Sequence, residues 1–118
     1  MKLSLVIPVY NEEENLKDLF DGLIDFLGNS KYQCEIVAVD DGSEDDSRKI
    51  MKEYQEKFSN FETVFFDENK GKSNALEAGF NACKGDLIFF MDADLQYTPK
   101  DIPKYIDFLE KGYDVVNG

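Results

Sequence analysis

The chain has 118 residues, 42% of them hydrophobic, with a formal net charge of −12. That length makes one domain, able to bury roughly two-thirds of the surface its unfolded form exposes. The acidic balance excludes a nucleic-acid binder or an adsorber to anionic lipid, both of which want clustered Lys and Arg, although a bridging divalent cation would still let an acidic pocket hold a diphosphate.

Strand and helix signals alternate from the start. Leu3 to Val9 is a nearly continuous apolar run, as in a strand covered on both faces, and Pro8 is expected to stop sheet pairing near its end. Asn11 and Glu14 give a box-like helix cap, and Leu16, Leu19, Phe20, Leu23, Ile24 and Leu27 form an amphipathic stripe closed by Gly28 and Asn29. Glu35 to Val39 is the second strand, ending in the turn Asp40-Asp41-Gly42-Ser43. Ser43 with Asp46 is expected to open a second helix, whose apolar face carries Ile50, Met51, Tyr54 and Phe58. Thr63 to Phe66 is a third strand. The loop Asp67 to Lys72 leads to a third helix with Leu76, Phe80 and Cys83 inward, closing near Gly85. Leu87 to Met91 is the fourth and most apolar strand, expected to be central, and Asp92-Ala93-Asp94 follows it directly. Ile102, Tyr105, Ile106 and Leu109 mark a fourth helix, with Asp101 as cap and Pro103 in its first turn, and Tyr113 to Val116 begins a fifth strand.

This alternation predicts an α/β fold of three layers, α/β/α, around a mainly parallel sheet, in which ligands bind beyond the carboxyl ends of the strands. Tyr10-Asn11-Glu12, Asp40-Asp41-Gly42-Ser43 and Asp92-Ala93-Asp94 all fall at those ends. Three polar clusters on one edge suggest a site. A last strand with no closing helix reads as a truncation, with an exposed sheet edge that favours self-association.

The absence of His removes Ser-His and Cys-His catalysis and every imidazole metal site. Cys34 and Cys83 lack metal-ligand spacing and read as buried thiols. No apolar run reaches the ~18 residues of a membrane span, and the first residues are too short an apolar stretch for a signal peptide, which makes a cytoplasmic protein the expectation.

Asp92 and Asp94 are the strongest local feature. Residues i and i+2 of an extended segment point the same way, and a divalent cation relieves the repulsion of two close carboxylates. Mg²⁺ or Mn²⁺ held so takes its other ligands from phosphates and water. The bland reading is a solvated turn. Asp40 and Asp41 could accept hydrogen bonds from a base or ribose, or simply make an Asp-Gly turn. Lys70-Gly71-Lys72-Ser73 resembles the tail of a P-loop, but Phe66 stands where the earlier Gly is required, so that reading fails. A small basic loop at a helix N-terminus remains, suited to a diphosphate or else merely solvated. Gln96 and Tyr97, before the turn at Pro99, line the site or cover the sheet edge.

Taken in order and spacing, Val6-Ile7-Pro8-Val9-Tyr10-Asn11-Glu12, Asp40-Asp41-Gly42-Ser43, Asn69-Lys70-Gly71-Lys72-Ser73-Asn74-Ala75-Leu76 and Asp92-Ala93-Asp94-Leu95-Gln96 resemble the family 2 glycosyltransferases of the GT-A (Rossmann-like) fold. The resemblance runs through essentially all of residues 1–118, taken as one nucleotide-sugar-binding domain without its acceptor-binding part. With Pro99 and Ile102-Pro103, it is similar above all to the polyprenyl-phosphate (dolichyl-phosphate) sugar transferases. It implies that Pro8, Tyr10 and Glu12 lie around the base and ribose of a GDP- or UDP-linked sugar. Asp40 and Asp41 would also serve the nucleotide, with Asp40 accepting from the base, and Lys72 would sit by the diphosphate. Asp92 would lie near ribose and metal, and Asp94 would bind the metal, the two forming the catalytic centre. Ser73 departs from the family, where Gly is common.

The reaction so implied is metal-dependent, inverting sugar transfer. A hydroxyl acceptor needs a general base, and no side chain is plainly assigned to that task, whereas a polyprenyl phosphate is already ionised near neutral pH. A lipid phosphate is therefore the expected acceptor, at the cytoplasmic face of a membrane, with a saccharide hydroxyl as the alternative. A truncated domain that binds donor without catalysing transfer is another alternative. A phosphorelay receiver domain fits poorly, because its acid pair should follow the first strand, which here ends in Tyr10-Asn11-Glu12.

Overall fold

The computed structural model describes residues 2–28 and 33–91, the Phe26 side chain excepted. The expected fourth helix, the fifth strand with its self-association edge and the motif at Asp92 and Asp94 lie outside the described residues. Within them the order is β1 (Lys2–Val9), α1 (Glu13–Gly28), β2 (Gln33–Asp40), α2 (Ser47–Lys57), β3 (Phe61–Phe65), α3 (Lys72–Ala82) and β4 (Leu87–Phe90). The sheet order is β3-β2-β1-β4, with all three pairings parallel. The expected central place of β4 is not seen among the described residues, where β1 and β2 are the inner strands and β4 pairs with β1 alone.

The period of two along β1 and β2 sorts their side chains between the faces. Leu3, Leu5, Ile7 and Val9, with Ile36 and Ala38, pack under α1 and α2. Val6, Val37 and Val39 face α3. This is the expected α/β/α arrangement. From α1, Leu16, Leu19, Phe20 and Leu23 are fully buried, each contributing roughly 1.5–3 kcal/mol. Phe20 meets Phe61 edge-on at 4.9 Å and Tyr54 at 5.1 Å. Phe61 lies two residues before the expected start of β3. Its isolated place before Glu62 gave the sequence no apolar run to reveal it. The Tyr54 hydroxyl donates to Asp21 Oδ1 at 2.6 Å, and burial together with that carboxylate pushes its pKa up.

Two helix details differ from expectation. Phe58 follows the last turn of α2 in extended conformation and still packs against the core. On α3 the inward face is Ala75 and Gly79, while Phe80 is 55% exposed. A Cβ at Gly79 would lie 2.3 Å from Val6 Cγ1. The small residues thus let the helix sit close on the sheet, and that rotation turns Phe80 outward. Leu76 and Cys83 do pack on this side. Cys34 and Cys83 form no disulfide and are only half-buried, less enclosed than expected. Burial, with the Glu35 carboxylate adding and Ser4 opposing, pushes the Cys83 thiol up.

At the amino ends of the strands a buried polar knot fixes β4 to β1. Ser4 Oγ donates to Glu35 Oε2 at 2.5 Å, Lys84 N–H donates to the same oxygen at 2.6 Å, and Gly85 N–H donates to Ser4 Oγ at 2.9 Å. Burial resists ionisation of Glu35, but these donors and the positive Lys2 and Lys84 outweigh it and hold its pKa below the ordinary 4.5. A depressed folded pKa gives stability that is present above the unfolded value and is lost as pH falls through the folded value. In urea titrations at falling pH, wild type is expected to lose stability below pH 4.5 more steeply than Glu35→Gln, which lacks this titration.

Candidate functional site at the carboxyl edge of the sheet

Register brings the site residues together. Val9 pairs with Asp40, and Asp40 with Phe65, so β1, β2 and β3 end side by side. Met91 N–H donates to Val6 O at 2.9 Å, which carries the end of β4 to the same edge. Pro8 was expected to halt pairing, yet it pairs with Val39, and the ladder continues to Val9. The reason is geometric. Val9 O accepts from Asp41 N–H on the β2 side, whereas Val6 O accepts on the β4 side. Alternation then points the missing donor of Pro8 away from β2, and no β1–β2 bond is lost.

The segment after β1 is laced to the segment after β2. Asn11 takes φ +52 and does not cap α1 as expected. Its N–H donates to Ser43 Oγ at 2.9 Å, and its Oδ1 accepts from Glu44 N–H at 2.8 Å. Glu12 N–H donates to Ser47 Oγ at 2.9 Å, and Glu13 N–H to Asp45 Oδ2 at 3.2 Å. The Glu12 carbonyl instead accepts from the first turn of α1, and its carboxylate accepts from Asn15 Nδ2 at 3.0 Å. The start of α2 likewise differs. Asp46 makes no side-chain cap bond, and Asp45 Oδ1 accepts from Ser47 N–H at 2.9 Å. Burial opposes ionisation of Asp45, but Ser47 and the Glu13 N–H hold its pKa below the ordinary range. Tyr10, 44% exposed, stands above this lacing.

Asp40 is fully buried. Its carboxylate accepts from Ser43 N–H at 3.2 Å and lies 3.4 Å from Arg48 Nε. That Nε is buried without an aligned acceptor, so the pair is ionic contact more than hydrogen bond. The guanidinium also lies over the Phe65 ring, 4.8 Å from its centre, a cation–π placement. Asp41 faces the other way. Its Oδ1 accepts from Lys70 N–H at 2.7 Å, and its Oδ2 from Gly71 N–H at 3.2 Å and Asn69 Nδ2 at 3.3 Å. Gly71, at φ +95, leads into α3, and Lys72 is the first, exposed residue of that helix. Lys70 Nζ lies over the Phe66 ring, 5.0 Å from its centre.

Pro8, Tyr10, Glu12, Asp40, Asp41 and Lys72 are therefore on one edge, while Asp92 and Asp94 are outside the described residues. Among the described residues no cluster of three or more Cys, Asp or Glu could hold a metal ion. Asp40 and Asp41 are already occupied by protein donors. Two carboxylates directly after Met91 would supply the oxygen donors that Mg²⁺ or Mn²⁺ prefers. Arg48, Asp45 and Ser47 escaped sequence reasoning. Arg48 sits beside Lys49 with nothing local to single it out, since its partner comes from another element, and only the Asp-x-Ser spacing hinted at the Asp45–Ser47 turn.

This edge and this sheet are those of a GT-A glycosyltransferase fold, and the family pattern of Glycosyl transferase family 2 matches residues 4–118. The chain belongs to glycosyl transferase family 2. It is 43% identical over 115 residues to the undecaprenyl-phosphate 4-deoxy-4-formamido-L-arabinose transferase of Pseudomonas savastanoi pv. phaseolicola, covering 97% of this chain and 34% of that protein. The chain thus spans about a third of the length of the curated relatives it matches. S. aureus TarS 1-349 in complex with UDP is similar in structure, with TM-score 0.76 and 25% identity over 94% of this chain and 32% of that one. So is glucosyl-3-phosphoglycerate synthase from Mycobacterium tuberculosis with Mn²⁺, UDP and glucosyl-3-phosphoglycerate, at TM-score 0.73 and 25% identity over 92% of this chain and 39% of that one.

The Asp40–Arg48 contact yields a test. Removing the cation leaves a buried carboxylate uncompensated, and half-exposure of Arg48 tempers the loss. Arg48→Met is expected to lower stability by about 1–2 kcal/mol in urea unfolding. A double-mutant cycle with Asp40→Asn should show coupling of about 1 kcal/mol.

Proposed function

We propose that the chain supplies the donor half of a metal-dependent, inverting transferase that moves a sugar from a GDP- or UDP-linked donor to a polyprenyl phosphate. The observation that carries this reading is the convergence of the ends of β1, β2 and β4 on one edge, with the segments after β1 and β2 laced together. The family and the UDP-bound structural relatives support it.

Pro8, Tyr10 and Glu12 border the base and ribose. Tyr10 is exposed enough to lie against a ring. Asp40 accepts from the base once Arg48, in contact with its Oδ2, gives way. Lys72 and the start of α3 face the diphosphate, where positive charge and helix N–H groups favour an anion. Asp92 and Asp94 would hold Mg²⁺ or Mn²⁺, which would supply positive charge to neutralise a diphosphate leaving group. The polyprenyl phosphate is the acceptor because it attacks without a general base. The undecaprenyl-phosphate transferase similarity favours it over a saccharide hydroxyl. That acceptor places the reaction at the cytoplasmic face of a membrane. No helix among the described residues is long and apolar enough to cross one.

Calorimetric titration of UDP and GDP into the chain, with and without Mn²⁺, tests the donor site. Metal-dependent binding of one nucleotide is expected, reduced about tenfold or more in Asp94→Ala, since loss even of a partner behind a metal ligand costs that much. A folded wild type that binds neither overturns the reading. For the acceptor, a longer protein carrying this domain should glycosylate polyprenyl phosphate. Activity on saccharide hydroxyls alone would replace that assignment.

A further inference from the structure

We infer that Asp41 is a positioning residue, a latch that fixes the Asn69–Lys72 loop for the diphosphate, and that it does not itself contact the nucleotide. This rests on the donor-site reading above and redefines one of its residues.

Three observations carry it. Asp41 is 5% exposed, and both its oxygens are engaged by Asn69, Lys70 and Gly71. Its backbone N–H is bonded to Val9 O at 2.8 Å, which ties the carboxylate to the end of β1. The neighbouring Gly42, at φ +75, passes so close beneath the loop that a Cβ there would lie 2.4 Å from the Glu68 carbonyl carbon and 2.5 Å from Asn69 N. Asp41 and Gly42 together thus seat one loop on the other.

The loop in turn sets α3. Gly71 caps the helix without a side-chain bond, its carbonyl accepts from Ala75 N–H at 3.2 Å, and Asn74 Nδ2 donates to the Lys70 carbonyl at 2.6 Å. Two backbone N–H groups held by an ionised carboxylate make charge-assisted bonds, stronger than neutral ones. Asn at position 41 would keep the shape but turn one acceptor into a donor facing an N–H. The loop would loosen while the base end of the site, at Tyr10 and Asp40, stays in place.

The latch therefore predicts a split within one ligand. With Mn²⁺ present, UDP and uridine, and GDP and guanosine, are titrated into wild type, Asp41→Asn and Asn69→Ala, all checked for folding by circular dichroism. Re-ordering the loosened loop on binding opposes association, so the Asp41→Asn chain should bind the diphosphate about tenfold or more weakly. Its affinity for the matching nucleoside should change by less than about twofold. Asn69→Ala, which removes one bond from an exposed residue, should show a smaller loss of the same kind. Amide exchange at Lys70 and Gly71 should quicken in Asp41→Asn without any ligand. Equal losses for nucleoside and diphosphate would overturn the latch, as would unchanged exchange at those two amides. A wild type that binds neither nucleotide defeats the donor-site reading instead, and the exchange measurement then decides the latch alone.

Discussion

Everything at the candidate site depends on the parallel pairing of β1 with its neighbours. In an antiparallel pair the carboxyl end of one strand meets the amino end of the next. Here Val9 stands opposite Asp40, Asp40 opposite Phe65, and Val6 opposite Phe90, so β1, β2 and β3 deliver their following loops to the same edge and β4 ends there too. The apolar runs of β1 and β2 make this possible, because strands buried on both faces need cover on both. Helices α1 and α2 supply it on one face and α3 on the other.

Close approach of α3 is the second constraint. Gly79 admits Val6 and Val39 where a methyl group would not fit. The helix start is thereby drawn to the sheet's edge together with the basic loop before it. The polar knot of Ser4, Glu35 and Gly85 does the corresponding work at the opposite end, closing the turn from α3 into β4. Packing at one end and a buried carboxylate at the other thus align β4 with β1.

The acidic character of the chain has a local meaning at this edge. Its carboxylates are not interchangeable. Asp45 organises the start of α2, Asp41 holds the basic loop, and Asp40 sits against Arg48. Each is occupied by donors from the protein itself. A diphosphate bound in the proposed donor site would therefore meet the helix start and lysines in front of carboxylates that are already satisfied, which would lower the repulsion an acidic protein otherwise presents.

Sequence alone determined the order of elements, the three-layer class and the edge on which the polar clusters fall, because hydrophobic period and turn residues are local properties. Four short motifs in order also determined the family. Tertiary structure decided what each polar residue touches. Asn11 reads as a helix cap and in fact ties two loops together, because its partners Ser43 and Glu44 are 32 and 33 residues away. Asp41 reads as the twin of Asp40, yet its neighbours come from a different loop. Phe80 reads as core and is exposed, because a helix turns its smallest face, here Ala75 and Gly79, toward a sheet that comes close. Period and composition record a residue's own preference. Partners distant in the chain are chosen only when the strands have paired and the helices have settled on them.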